Sequence, residues 1–328
     1  GQETSVIIAR HFVIATGLSG FPRFLDPVLH RSDTFKGKII HSSHFSGHEA
    51  PTNVVVIGSN TSAHDIAQAL TEKGSNVVMV QRSATTVVSL DSHAGIIMDP
   101  FNGGAPRGSS DPLFNASLGE NELLDLEIAG FHANTYRKLA MISREVVVPA
   151  IKAHDKELLE GLDAAGMKLD WGEDESGLLM KFLRRGSGYY MSIGASELII
   201  AGKIKVAQLG QSEIELTENS VMVGGESLPA DLIIAATGYT NMSSWTHYLC
   251  GATIGEKVGH IGGYGSETRD DPGLYVGEMR NMWGKTEQEG LWYFCGNFTQ
   301  CRFYSLQTAI LIQIELAGGW DAARGVVG

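Results

Sequence analysis

Residues 54–67, VVVIGSNTSAHDIA, set a glycine, four small polar residues and an alanine between an apolar run and an amphipathic one. That order suits a tight turn from a buried strand into a helix whose first amides face an anion. Gly58 would supply the turn and Ala63 the close helix–strand contact. The helix N-terminus after Ser62 would offer unbonded N–H groups at the positive end of its dipole. Asn60 stands in the middle place, where glycine gives phosphates the closest approach. Asparagine tolerates left-handed backbone angles better than most residues, so the turn can survive it. The ligand this pattern fits is the pyrophosphate of a dinucleotide, cradled by Gly58, Ser59, Asn60, Thr61, Ser62 and Ala63. A strand–helix turn without a ligand would use the same residues.

The following strand discriminates between dinucleotides. An acid at its end would bond a ribose 2′-hydroxyl and select NAD. Here the strand runs out in Gln81-Arg82-Ser83. Arg82 can pair with a 2′-phosphate and no carboxylate competes, which points to NADPH. The alternative is a solvated arginine after a strand.

These residues need a scaffold. Asn53–Ile57 is a continuous apolar run, the pattern of a strand covered on both faces of a parallel sheet. Ala63–Lys73 has helical spacing, Gly74 sits where a helix C-cap glycine belongs, and Asn76–Val80 is a second buried strand. Together they predict a βαβ unit of about thirty residues. Upstream, Ser5–Ala9 and His11–Thr16 read as short strands ended by Gly17. Residues 18–51, rich in Gly, Pro, Ser and His, read as a long connection. Downstream, 84–115 reads as loop, 118–165 as helical, and the rest up to Asp231 as short strands and turns. Leu232–Ala236 is a buried strand ending in Thr237-Gly238-Tyr239. Leu291–Cys295 is a strand stopped by Gly296-Asn297, and a helix is expected from about Tyr304 to Leu316. The segments VIATG (13–17) and IIAATG (233–238) look alike, with no other internal repeat.

Composition bounds the partners. With 328 residues, 43% hydrophobic and 19% charged, the chain can bury one large core or two modest ones. Its 25 basic and 37 acidic residues give −12, a charge that repels nucleic acid and anionic membrane surfaces. A local basic pocket for a phosphorylated small molecule stays compatible with that balance. No window approaches the ~18 uninterrupted apolar residues of a membrane span, and the N-terminus has no signal-peptide pattern, so a cytoplasmic protein is expected. Three cysteines without a C-x-x-C give no dithiol redox centre and no metal site.

Residues 35–45, FKGKIIHSSHF, carry no chemistry by composition. They resemble the identifying motif F-x-G-x-x-x-H-x-x-x-W/F of flavin-containing and Baeyer–Villiger monooxygenases, with Phe35, Gly37, His41 and Phe45 in register. GSNTSAHDIA resembles that family's NADPH turn, departing from it at Asn60, Thr61 and Ala63. DKELLEGLDAAGMKLDWG, GSGYYMSIGASELI and GNFTQCRFYSLQTA resemble the fungal and bacterial branch of flavin-containing monooxygenases.

The resemblance implies an α/β, two-dinucleotide-binding-domain (Rossmann-like) flavoprotein with a complete NADPH lobe and a partial FAD lobe. Residues 1–50 would be the end of the FAD lobe and its connection. Residues 51–235 would be the NADPH-binding domain with a helical insertion at about 115–165, and 236–328 the return to the FAD lobe. It implies FAD and NADP as cofactors. Thr16, Gly17, Thr237, Gly238 and Tyr239 would line the seam between lobes, with Gly296, Asn297 and Gln307 on the flavin side. NADPH would reduce FAD, and a flavin C4a-hydroperoxide would pass oxygen from O₂ to nitrogen, sulfur or a carbonyl carbon of a small substrate. No residue stands out as a catalytic acid or base. No G-x-G-x-x-G turn precedes residue 17. The expectation is therefore the C-terminal portion of a longer polypeptide, with an upstream segment or second chain supplying the FAD turn and little FAD held by this chain alone. Two rivals are a flavin-dependent pyridine-nucleotide reductase, disfavoured by the missing C-x-x-C, and a non-catalytic NADP-binding module or half of a split flavoenzyme.

Overall fold

Unbroken Val and Ile runs need apolar cover on both faces, and that requirement organises the molecule. The computed structural model describes residues 6–24, 29–30, 33–98, 135–265 and 279–319. In chain order the strands are β1 (Phe12–Ile14), β2 (Leu29–His30), β3 (Lys38–His41), β4 (Asn53–Ile57) and β5 (Asn76–Gln81). Next come β6 (Thr86–Ser89), β7 (Tyr189–Ser192), β8 (Ile204–Gln208) and β9 (Ile214–Leu216). The last are β10 (Ser220–Val223), β11 (Glu226–Pro229), β12 (Leu232–Ala235) and β13 (Leu291–Tyr293).

The central sheet has the order β3-β12-β4-β5-β8, parallel throughout. Val54 and Val56 face one layer with Ile66, Ala67, Leu70 and Ile234. Val55 and Ile57 face the other, against Ile214, Leu216, Val221 and Val223 from β9 and β10. A helix layer and a small antiparallel layer thus sandwich the sheet, and each fully buried side chain contributes roughly 1.5–3 kcal/mol. The helix Thr61–Glu72 turns Ala63, Ile66, Ala67 and Leu70 inward, as their spacing predicts. Two smaller parallel pairs, β6–β7 and β1–β13, lie outside this sheet.

Several expectations change. Lys38–His41, read as connection, is the edge strand β3, because it pairs with β12 nearly two hundred residues later. Thr86–Ser89, read as loop, is β6 for the same reason, its partner being Tyr189–Ser192. Leu90–Ser92 and His93–Met98, also read as loop, are helical, the second π-helical, because the Ser89 side chain caps the first turn; 99–115 lie outside the described residues, as do 115–134 of the helical insertion. Tyr136–Ile142, Val148–His154 and Lys156–Ala164 are helical as expected, with a π-helical segment at Ser143–Val147.

Gly177–Arg185 and Ala195–Ile200 are helices where turns and strands were expected. In the first, Lys181 and Arg184 are buried, paired with Asp170 and Asp174, so its inward face looks polar in sequence. Residue 5 lies outside the described residues, and 6–9 form no strand; Val6, Ile7 and Ile8 are exposed. The His11–Thr16 strand shortens to β1. The C-terminal helix begins at Phe298, earlier than its apolar spacing suggests, because Asn297 and Gln300 form a capping box.

The 35–45 motif is a packing device. Phe35 is buried beneath the sheet, Phe45 packs on its opposite face, and Gly37 lets the chain enter β3 beside the Asp231 carbonyl. A Cβ at Gly37 would lie 2.5 Å from the Phe35 ring and 2.6 Å from Asp231 O. Gly37→Ala should destabilise the protein by about 1–3 kcal/mol. A urea denaturation midpoint equal to wild type would remove this role.

Candidate functional site

Parallel strands bring their carboxyl ends to one edge. From β4 the chain winds outward through β5 to β8, whereas β12 returns on the other side of β4. The winding reverses between β4 and β12, and the crevice at such a reversal is where open α/β sheets bind ligands. Gly58 leaves β4 at that reversal with φ +133°. A Cβ there would collide with the Ala236 carbonyl oxygen, so both backbone angle and space exclude a side chain. Gly58 N–H donates to Val80 O at 2.9 Å and Ala236 N–H to Ile57 O at 2.9 Å. The ends of β4, β5 and β12 are thereby bonded into one corner.

The helix after this turn begins on Asn60, whose side chain makes no cap hydrogen bond. Its φ of −97° and ψ of −175° are extended, so the turn draws on Gly58 alone for its positive φ. Asn60 O accepts from Ala63 N at 2.9 Å and His64 N at 3.1 Å. Thr85 Oγ1 donates to Ser59 O at 3.0 Å, and Ser59 Oγ lies 2.9 Å from the same hydroxyl. Thr61 Oγ1 donates to Tyr189 O at 3.1 Å. The Ser59 and Thr61 side chains therefore brace the turn, while the amides of Thr61 and Ser62 have no carbonyl in the helix to bond. Ser62 is exposed beside them.

Arg82 stands exposed just past β5 and makes no hydrogen bond or ion pair among the described residues. Its neighbour Gln81 points the other way, donating to Lys168 O at 2.9 Å and accepting from Lys168 N at 2.8 Å. The bond from Gly58 to Val80 holds the turn two residues from Arg82.

Thr237, Gly238 and Tyr239 leave β12 at the same edge and run beside residues 20–24. Arg23 N–H donates to Gly238 O at 3.0 Å, Thr240 N–H to Phe21 O at 2.9 Å, and Thr237 Oγ1 to Arg23 O at 2.5 Å. His41 ties this ribbon to the sheet. Its Nδ1 accepts from Ser43 N at 3.1 Å, which leaves Nε2–H to donate to Gly238 O at 3.0 Å. Burial lowers the His41 pKa, consistent with a neutral ring. Phe24 and Tyr239 flank that ring at 5.4 and 5.3 Å.

The remaining candidates emerge from β1 and β13, which pair in parallel with Ile14 opposite Tyr293. Thr16 and Gly17 are exposed beyond β1, and Gly296 and Asn297 follow β13. Asn297 accepts from Gln300 N at 2.8 Å while its own amide donates to Gln300 Oε1 at 3.0 Å. Gln307 is exposed on the helix Phe298–Leu316. The structure thus gathers Gly58–Ala63, Arg82 and Thr237–Tyr239 at one sheet edge, and Thr16, Gly17, Gly296 and Asn297 at the end of the small pair.

The sequence matches no protein-family model and no curated protein. Solved structures do match its shape. The open structure of cyclohexanone monooxygenase aligns with a TM-score of 0.53 at 17% identity, covering 94% of this chain and 63% of that one. The complex of OTEMO with FAD and NADP gives 0.55 at 16%, covering 96% and 63%. Oxidized steroid monooxygenase bound to NADP gives 0.53 at 14%, covering 94% and 61%. This chain has the fold of those monooxygenases. It spans less than two thirds of their length.

Within that monooxygenase fold, sequence reasoning missed Thr85, Tyr189, Arg23 and His64. The first three act through backbone carbonyls or hydroxyls, which leave no spacing signal. His64 carried a signal only as a polar residue on the inward face of a helix. It is fully buried and stacked on Tyr190 with centroids 3.9 Å apart. Its Nδ1 lies 3.1 Å from Asn60 O, and its Nε2 has no hydrogen-bond partner.

Burial pushes the His64 pKa down to about 4, so the folded protein holds it neutral while the unfolded chain protonates near 6.5. The unfolded state binds the extra proton, so stability is full above about pH 6.5 and falls toward pH 4, by up to about 3 kcal/mol. His64→Phe should flatten that part of the pH profile, read as urea midpoints at about pH 7 and about pH 4.5. Equal pH slopes in both proteins would contradict it.

Proposed function

We propose that this chain is the NADPH-binding portion, with part of the flavin-binding portion, of an NADPH- and FAD-dependent monooxygenase acting on a small organic substrate with O₂. The observation that carries this reading is the corner at Gly58, where a turn that admits no side chain, a helix N-terminus and an unpaired arginine meet at the reversal of a parallel sheet. The fit to a dinucleotide is physical. The amides of Thr61 and Ser62 would hold the pyrophosphate at the positive helix end. Arg82, exposed and without a partner among the described residues, would pair with the 2′-phosphate. The similar structures of OTEMO with FAD and NADP and of steroid monooxygenase with NADP support the same cofactors here.

When bound, the two cofactors supply hydride transfer and oxygen activation. This chain's residues would bind and orient. Gly238 and Tyr239, held by His41, would set the backbone facing the nicotinamide. Gly296 and the amides of Phe298 and Thr299 would face the flavin from the other lobe, since Asn297 and Gln300 already cap each other.

The flavin side would be completed by a further segment, on the same polypeptide or another. The C-terminal helix carries apolar residues all round, a pattern of burial on every side, yet Phe298, Leu306 and Ile310 are exposed. Phe12 and Val13 of β1, the other element assigned to the flavin side, are exposed as well. Oxygen transfer to nitrogen, sulfur or a carbonyl carbon are all compatible with this arrangement.

The deciding experiment is a nucleotide titration. Arg82→Ala should weaken NADPH binding about tenfold or more while leaving NADH binding unchanged, as loss of a charge-assisted pair to the 2′-phosphate requires. Unchanged NADPH affinity would refute the assignment.

A further inference from the structure

A second site lies away from the Gly58 corner. The helical run from Tyr136 and the helix Gly177–Arg185 border a cavity of about 570 Å³. That volume falls within the range of small-molecule sites. None of the residues at the sheet edge lines it.

Its charge runs against the rest of the chain. Arg137, Lys138 and Arg144 line one wall, and Arg184 the other. Two carboxylates, Glu145 and Asp174, share the lining. Asp174 is already committed: Arg184 is buried and donates to it through both terminal nitrogens, with Nη1 to Oδ1 at 2.8 Å. Glu145 lies 3.8 Å from Arg144, a loose and exposed contact. Lys138 Nζ makes no ion pair among the described residues. Among the described residues the lining therefore carries more positive than negative charge, in a protein whose net charge is −12. Such a lining concentrates anions from solution.

Two further features mark the cavity as built. Arg184 stacks over Tyr264 at 5.3 Å, so the inner wall is a fixed, dry surface rather than a solvated groove. The outer wall carries the π-helical segment Ser143–Val147, which includes Arg144 and is pinned by Ser143 Oγ donating to Ser176 O at 2.6 Å. Such segments are rare and cluster at functional sites. Ala140, Met141 and Tyr264 add apolar lining beside the cations.

We infer that this cavity binds a small organic oxyanion, with its charged head on Lys138 and Arg144 and its apolar body over Met141 and Tyr264. The inference stands apart from the NADPH and flavin reading. A carboxylate and a phosphate share the headgroup chemistry, and the probes below separate them.

Calorimetry on the full chain at low salt would use benzoate, phenyl phosphate and the neutral benzyl alcohol. At least one anion should bind saturably, about tenfold or more tighter than benzyl alcohol, and weaken as salt rises. Benzoate the tighter of the two identifies a carboxylate site, and phenyl phosphate the tighter a phosphate site. The double variant Lys138→Gln/Arg144→Gln changes exposed residues and should lose that affinity about tenfold with an unchanged thermal midpoint. Saturating NADPH should leave the affinity as it was. As a check without mutation, the bound anion should slow acetylation of Lys138 by acetic anhydride, mapped by mass spectrometry. Anions binding no better than benzyl alcohol, wild-type affinity in a folded double variant, displacement by NADPH, or unprotected Lys138 would each overturn the assignment.

Discussion

The contact between Gly58 and the Ala236 carbonyl fixes the geometry on which the candidate site depends. Two neighbouring strands end there so closely that Gly58 can carry no side chain at the point of approach. Because β4 and β12 are paired in register, that closeness follows from the sheet itself and not from any loop. The helix that begins at Thr61, the ribbon at 237–241 and the end of β5 take their positions from it. The turn at Gly58 is thus anchored in the hydrophobic core beneath it, where Val54, Val55 and Val56 are sealed from water on both faces.

Elements defined by local pattern were legible in the sequence. The β4–helix–β5 unit has one residue type per face and a glycine at each change of direction, so its position, its helix and its C-cap could all be read. Elements defined by distant partners were not. KIIH at 38–41 and TVVS at 86–89 are too short to declare themselves, and each becomes a strand only against residues far along the chain. The helix Gly177–Arg185 hid for a different reason. Its buried face contains Lys181 and Arg184, whose charges are matched by Asp170 and Asp174 from outside the helix.

The candidate site divides along the same line. Gly58 and Arg82 stand out as candidates in the sequence because their chemistry is their own: one has no side chain, the other a fixed charge. His41 could be found only by resemblance, since its role is to donate one hydrogen bond to Gly238 O, and no spacing rule encodes that. Thr85 contributes through a hydroxyl bonded to a backbone carbonyl, and Arg23 through its own backbone, so neither left a spacing signal. Asn60 replaces glycine without using its tolerance of left-handed angles: it sits extended, and the demand for unusual geometry falls wholly on Gly58.

The paired ribbon of residues 20–24 and 237–241 has a mechanical meaning. Two strands of backbone cross side by side, cross-bonded at Phe21, Arg23, Gly238 and Thr240, with an imidazole bracing one edge. A strap of that kind bends readily across its flat face but resists stretching and shearing along its length. Segments 20–24 and 237–241 therefore cannot slide past one another without breaking several of these bonds together.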